Sequence, residues 1–257
     1  IFRAGLQHVG IDQGIELHSA ADVPSNSGLG ASSSFTVALL NALHTYKKEY
    51  ISQKQLAEEA CYIEIDVLGE PIGKQDQYLA AYGGVTCLTF EKDGSVLVEP
   101  LRISSAVADE LENNLSLFFT GKERSASEIL AVQDQKSSEN DSDMIQNLHK
   151  VKEIALETKK CLEEGDIDSL GELFHVHWQN KKARSENMSD SLIDEYYELA
   201  LKNGALGGKL VGAGGGGFLM FYSANGKRKL VEVMERAGLK WEPFHFDHRG
   251  ASVLVNT

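Results

Sequence analysis

Four stretches of the chain carry residue types that could handle a phosphate group and a hydroxyl. The first is Pro24-Ser25-Asn26-Ser27-Gly28-Leu29-Gly30-Ala31-Ser32-Ser33-Ser34. Phe35, Ala38, Leu39, Ala42, Leu43 and Tyr46 follow at the spacing of an amphipathic helix, which puts the Gly/Ser run at a helix N-terminus. Such an end offers unpaired N–H donors and the positive pole of the helix dipole. Gly28 and Gly30 let the backbone come close to an anion, and Ser32, Ser33 and Ser34 add hydroxyls that could reach a phosphate or a Mg²⁺ ion. No Gly-Lys-Ser/Thr closes the run, so it is not a Walker A loop. Ser and Gly are also ordinary helix-start residues, and plain capping is the competing reading.

The second stretch centres on Glu64, whose neighbours at i−4, i−3, i+3 and i+4 are Ala60, Cys61, Val67 and Leu68. The carboxylate therefore points to the core side, where it needs a partner. Mg²⁺ bound to phosphates would serve, and so would a Lys or Arg from elsewhere. The third is the turn Gly69-Glu70-Pro71-Ile72-Gly73-Lys74-Gln75-Asp76-Gln77. Lys74 close to Asp76 could keep that carboxylate ionised and ready to take a hydroxyl proton, although a surface turn is the plainer reading. The fourth is Gly212-Ala213-Gly214-Gly215-Gly216-Gly217. It has the G-x-G-x-x-G form, but a strand-like run follows it instead of a helix, so it is no dinucleotide fingerprint. A tight loop whose backbone approaches a ligand or another loop fits it better.

Weaker signals complete the inventory. Lys122, Arg124 and Ser125 follow a strand end and could hold a substrate phosphate, or simply be solvated. His175 and His177 are two apart on a helix and do not share a face, which argues against a metal site. Leu170, Phe174 and Trp178 sit at helical spacing and read as core.

The elements that must position these residues follow from periodicity and punctuation. Residues 9–22 read as extended. Ser52-Gln53-Lys54-Gln55 is a capping-box signature for a helix reaching about Leu68, stopped by Gly69. Residues 72–81 mix loop and short-helix signals. Residues 85–91 and 95–101 form a hairpin across Lys92-Asp93-Gly94, and 115–119 a short strand. Helices are expected over 125–140, 142–164, 166–183 and 190–203. Short strands at 209–212 and 218–222 flank the Gly run, and a helix at 226–237 precedes late strands at 243–247 and 251–255. This mixed order is α+β.

Composition sets the outer bounds. With 257 residues, 42% of them hydrophobic, the chain can build one large or two small cored domains. A net charge of −13 repels nucleic acid and anionic membranes, and neither is expected as a partner. No run approaches the roughly 18 apolar residues of a membrane span. Cys61, Cys87 and Cys161 are odd in number and widely spaced, which suits a reducing cytosol better than a disulfide framework. The chain opens on Ile1, so a preceding N-terminal piece is expected.

Taken in order, Pro24 with Gly28-Leu29-Gly30-Ala31-Ser32-Ser33, Glu64, Gly73-Lys74-Gln75-Asp76, and Lys209-Leu210-Val211-Gly212 through Phe218 resemble the GHMP kinase superfamily over nearly the whole chain. Residues 68–78, Phe119-Thr120-Gly121 with Arg124-Ser125-Ala126, and residues 204–209 look most like its D-glycero-D-manno-heptose 7-phosphate kinases. The resemblance implies a two-domain α+β fold, ribosomal protein S5 domain 2-like in residues 1–110 and ferredoxin-like in 111–257. It also implies an N-terminal motif on strands for which nothing before Pro24 is a clear match, so Ile1–Gly10 would carry exposed sheet edges.

The implied cofactors are ATP and Mg²⁺. Pro24, Ser27, Gly28, Leu29, Gly30, Ala31, Ser32, Ser33 and Ser34 would wrap the ATP phosphates, with Ser32 and Glu64 holding the metal. Asp76 would be the base, with Lys74 beside it, and Gly214, Gly215, Gly216, Arg124 and Ser125 would face the substrate. The expected reaction moves a γ-phosphate onto the anomeric hydroxyl of a sugar phosphate, in the cytoplasm; a homodimer is compatible with it. A fucose- or galactose-type 1-kinase, or a binding module without turnover, is the alternative.

Overall fold

The computed structural model describes residues 1–12, 14–122, 126–139, 141–184 and 188–255. The chain divides into two compact units. One comprises Ile1–Ser25, Gly30–Pro100 and Phe246–Thr257; the other comprises Asn26–Leu29 and Leu101–His245. No helix among the described residues is long and apolar enough to cross a membrane.

In the first unit, α1 (Phe2–Val9) is followed by α2 (Ala31–Tyr46), α3 (Gln53–Cys61), α4 (Gln75–Tyr82) and the antiparallel hairpin β1 (Thr86–Phe90) and β2 (Val96–Pro100). Its core gathers Val37, Leu40 and Leu43 of α2, Leu56, Ala57 and Ala60 of α3, and Tyr78 and Ala81 of α4. The buried stripe of α2 is rotated from the one the sequence suggests. Thr36, Val37, Leu40 and His44 face inward, whereas Ala38, Ala42 and Tyr46 are exposed and line an open groove with residues 251–255. Alanine is neutral enough to sit on either face, so the apolar count misjudged the direction. Residues 1–10 form α1, closed at Gly10 by N–H bonds to Gln7 and Leu6 carbonyls, and not the sheet edges expected there. The Ser52 cap of α3 holds as read, accepting from Gln55 N at 3.2 Å.

The second unit is built on a four-stranded antiparallel sheet of order β4-β5-β3-β6, with β3 (Leu115–Phe119), β4 (Gly207–Leu210), β5 (Phe218–Tyr222) and β6 (Lys240–Glu242). Register pairs Phe119 with Phe218 and Leu117 with Met220, and β4 pairs Leu210 with Leu219. Around it lie α5 (Ser105–Asn114), α6 (Ala126–Ser138), α7 (Ser142–Glu164), α8 (Ile167–Lys182), α9 (Ser191–Lys202) and α10 (Lys227–Arg236). Phe118, Trp178, Ile193, Tyr197, Leu219, Phe221 and Leu230 fill the core between sheet and helices. The strands expected at 243–247 and 251–255 are absent; the last strand is the three-residue β6. Helix α5 has no counterpart in the sequence reading, although Ser104 caps it by accepting from Val107 N at 3.2 Å.

One polar knot ties the first unit together. Glu59 accepts from His44 Nε2 and Gln55 Nε2, both at 2.8 Å, with His8 Nε2 3.2 Å away. Burial pushes its carboxyl up, but the hydrogen bonds from His44 and Gln55 and the nearby imidazoles outweigh this and hold it below its usual 4.5. A lowered folded-state value contributes stability above the unfolded value, and that stability is lost as pH falls through the folded one. Glu59→Gln should therefore lower Tm by about 2–4 °C near neutrality, and the gap to wild type should close as pH drops below 4.5. A gap undiminished in acid would refute the assignment.

Candidate active site

Helix α3 runs directly into a π-helical turn, Tyr62–Val67. There Leu68 N–H reaches back to Ile63 O at 3.0 Å, an i→i−5 bond. Wide turns of this kind re-aim side chains and recur at functional sites. Here the turn carries Glu64 inward until it is 1% exposed. Its Oε1 accepts from Ser32 Oγ in the first turn of α2, and its Oε2 accepts from Gln77 Nε2 in α4 at 2.7 Å. Among the described residues no basic side chain pairs with it, so the alternative of a Lys or Arg partner is not what the structure displays.

Asp76 stands in the first turn of α4 with its carboxylate packed on Gly30. A Cβ on Gly30 would lie 3.2 Å from both Asp76 Cγ and Oδ2, and Gly30 has φ 68°. Glycine thus lets the start of α2 lie against the acid. Burial raises the Asp76 carboxyl above its usual value; a hydrogen bond from Gln75 opposes this and the Glu64 charge adds to it. Lys74 does not supply the compensating charge expected of it. It precedes α4, and its Nζ donates instead to Gly94 O in the hairpin loop at 2.7 Å.

The N-terminus of α2 has no side-chain cap, and its first intrahelical bond is Ser34 N to Gly30 O at 2.9 Å. The amides of Ala31, Ser32 and Ser33 precede that bond and are the donors a phosphate would use. Ser32 is exposed, Ser33 is buried on the core side of α2, and Ser34 is exposed. Pro24 is exposed in the preceding turn. The structure thus brings Gly30, Ser32, Glu64 and Asp76 together. It adds Gln77, to which the sequence reading gave no role, because nothing in a single Gln within a turn signals that it will meet a buried carboxylate thirteen positions earlier.

Ser27, Gly28 and Leu29 belong to the second unit, where they meet the Gly run backbone to backbone. A Cβ on Gly217 would sit 2.1 Å from Ser27 O, and one on Gly28 would sit 2.8 Å from Val211 O. The run is therefore a loop packed on another loop. Gly214, Gly215 and Gly216 are buried. A Cβ on Gly214 would strike Met188 Sδ at 2.1 Å, Gly215 N donates to Met188 O at 3.0 Å, and a Cβ on Gly216 would sit 2.9 Å from Lys122 O. Their neighbours are thus this chain's own atoms. The Ser27 hydroxyl is buried with no hydrogen-bond partner. Lys122 is paired with Asp190, the cap of α9. Arg124 and Ser125 lie outside the described residues.

The donor set suits Mg²⁺. Ser32 gives its proton to Glu64 and keeps its oxygen lone pairs, Glu64 adds hard carboxylate oxygens, and Gln77 Oε1 is buried with no partner. Mg²⁺ characteristically takes one or two protein ligands and completes its shell with phosphates and water. No cluster of three or more His, Cys, Asp or Glu that could hold a metal by themselves occurs among the described residues. Gln77→Leu removes the donor to Glu64 Oε2. We expect ~10–100-fold weaker Mg²⁺ affinity or turnover, the usual cost of losing a supporting hydrogen bond, with unchanged circular dichroism. Wild-type Mg²⁺ titrations in that variant would remove Gln77 from the site.

The chain is similar to known proteins in sequence and in fold. Residues 1–84 match the GHMP kinases N terminal domain, and residues 158–238 match the GHMP kinases C terminal domain. The chain is 34% identical over 235 residues to a D-glycero-alpha-D-manno-heptose 7-phosphate kinase of Campylobacter jejuni, covering 91% of this chain and 69% of that protein. It is 30% identical over 208 residues to the L-fucokinase/L-fucose-1-P guanylyltransferase of Bacteroides fragilis, covering 80% of this chain and only 22% of that protein. A solved D-glycero-D-manno-heptose 1-phosphate kinase from Bacteroides thetaiotaomicron superposes with a TM-score of 0.74 at 28% identity, over 97% of this chain and 72% of that one. With a matching domain toward each end and a one-third-identical relative along nine-tenths of its length, the chain belongs to the GHMP kinase family.

Proposed function

We propose that the chain is an ATP-dependent sugar kinase that phosphorylates the anomeric hydroxyl of a sugar phosphate, D-glycero-D-manno-heptose 7-phosphate giving the 1,7-bisphosphate. The observation that carries the reading is the buried Glu64 carboxylate joined to Ser32 at the start of α2, with Asp76 against the same helix start. A γ-phosphate held by the amides of Ala31, Ser32 and Ser33 lies at the positive end of α2. Ser32 Oγ and Glu64 would hold Mg²⁺, which when bound neutralises charge on the phosphate oxygens.

Asp76 accepts the proton of the attacking hydroxyl as its oxygen bonds to phosphorus and the bond to ADP breaks. An aspartate whose carboxyl is raised above its ordinary value accepts a proton more readily than an unperturbed one. Catalysis here is positioning and charge stabilisation, with no covalent enzyme intermediate. The glycine run acts one step back, by fixing the loop Ser27-Gly28-Leu29 from which α2 departs.

The names of two relatives place the existing phosphate differently, on C7 and on C1, and other relatives are named for fucose and galactose. The fucokinase likeness favours a second reading, a 1-kinase of an unphosphorylated sugar. Supporting the cytoplasm as the site of action, all three cysteines are unbridged.

The test is ADP release with a panel of manno-heptose 7-phosphate, the 1-phosphate, fucose and galactose. The proposal expects turnover on the 7-phosphate, and ATP binding without turnover on any sugar would refute it. Asp76→Asn should lower kcat by ~10²–10⁴-fold while sparing ATP binding. The acid limb of kcat/KM, which reports the free enzyme, should lie above 3.8, the ordinary aspartate value. Full turnover by Asp76→Asn would eliminate it as the base.

A further inference from the structure

The second unit holds a basic cluster that the proposed transfer does not use. His177, Lys181 and Arg184 lie on and just past α8 at i, i+4 and i+7, one face of the helix. Strand β4 presses on α8: a Cβ on Gly207 would lie 2.2 Å from Gly171 O and 3.0 Å from His175 Cβ. Lys209, two residues further along β4, projects to the same side of the strand. Its Nζ lies 5.7 Å from the centroid of the Phe174 ring on α8.

These groups are close enough to act on one another and have no acid to balance them. Burial first, then Lys209, Lys181 and Arg184, push His177 down to about 3. Burial first, then Lys209 and Arg184, push Lys181 down to about 7. Burial also lowers Lys209 and Arg184. Among the described residues no carboxylate pairs with any of the four.

Hydrogen bonding is incomplete as well. Lys181 Nζ donates to Leu210 O at 2.9 Å and Gly212 O at 2.5 Å, which anchors the start of the glycine run. Arg184 Nε donates to Asn147 Oδ1 at 2.7 Å, yet Arg184 Nη2 is buried with no partner. His177 Nδ1 is likewise buried with no partner. Buried polar atoms without partners, beside cations that no acid balances, carry a free-energy cost. A compact anion with several acceptor oxygens supplies both the missing acceptors and the missing charge, and a guanidinium edge suits phosphate in particular.

We propose that His177, Arg184 and Lys209, braced by Lys181, form a binding site for phosphate or a phosphomonoester. Neutral His177 donates from Nδ1, and Arg184 Nη2 and Lys209 Nζ donate with charge. Two sources share this chemistry: the phosphate already carried by the sugar substrate, and free inorganic phosphate. Only the first source rests on the sugar-phosphate reading above.

Inorganic phosphate is titrated calorimetrically into wild type, Arg184→Gln and Lys209→Met, and the same proteins are assayed with heptose 7-phosphate and ATP. Loss of about tenfold or more in phosphate affinity in each variant is expected, the scale of a charge-assisted hydrogen bond. A parallel rise in KM for the heptose phosphate, with KM for ATP unchanged, assigns the site to the substrate's own phosphate. Weakened phosphate binding with an unchanged heptose phosphate KM assigns it to free phosphate, and the site still stands. Wild type that binds no phosphate, or variants that bind it as wild type does, overturns the proposal. Should Arg184→Gln fail to fold by circular dichroism, Lys209→Met decides alone. If no sugar is phosphorylated, the kinase reading fails while the phosphate titration still judges this site.

Discussion

A carboxylate with almost no access to water, held by a hydroxyl and a carboxamide in place of a cation, sets the plan of the first unit. Burying Glu64 is costly unless its oxygens are satisfied, and the two donors come from different helices. Ser32 can reach it only from the first turn of α2, which requires the chain to enter that helix through the left-handed Gly30. Gln77 can reach it only from the first turns of α4, where the preceding residue is Asp76. The same two contacts that satisfy Glu64 therefore also bring an acid to the helix start. Beside the apolar core that Ile63, Tyr78 and Phe35 share, these polar bonds join the start of α2 and the start of α4 to the turn after α3.

That arrangement explains which parts of the site could be read from the residue order. The helix after Ser34 and its Gly/Ser start are local features, and both are where the spacing puts them. Glu64 could be singled out because its four helical neighbours are apolar. The π turn that carries it could not, since it depends on an extra residue accommodated by packing. Lys74 beside Asp76 looked like a charge pair because sequence distance is short. The helix start at Gln75 turns the two side chains apart, and Lys74 is drawn to a carbonyl twenty residues away. Gln77 became visible only through its partner. In the fold, strands and helices from 115 to 237 followed their periodicity closely, and α7, α8 and α9 start at the local caps Asp141, Asp166 and Asp190. The failures lie at residues 1–10, where the expected sheet edges rested on the resemblance and the chain forms α1, at 243–247 and 251–255, where short apolar runs form no strand, and at α5, which was not expected.

The second unit answers to a different constraint, close backbone approach. Loop 27–29 and the glycine run touch at distances no side chain would permit, so the run's glycines are explained by the chain's own packing. Lys181 ties that loop to α8 through two carbonyls. Met188 and Lys122 close the other side with backbone bonds to Gly215 and Gly217. The glycine run is thus packed against the neighbouring loop, backbone to backbone.

The most direct measurement is a crystal structure with Mg²⁺, a non-hydrolysable ATP analogue and a heptose 7-phosphate. The account predicts the metal at about 2.0–2.1 Å from Ser32 Oγ or a Glu64 oxygen, with Asp76 in hydrogen-bond reach of the sugar's anomeric hydroxyl. Phosphates bound away from the start of α2, or a sugar whose anomeric oxygen has no contact with Asp76, would contradict it.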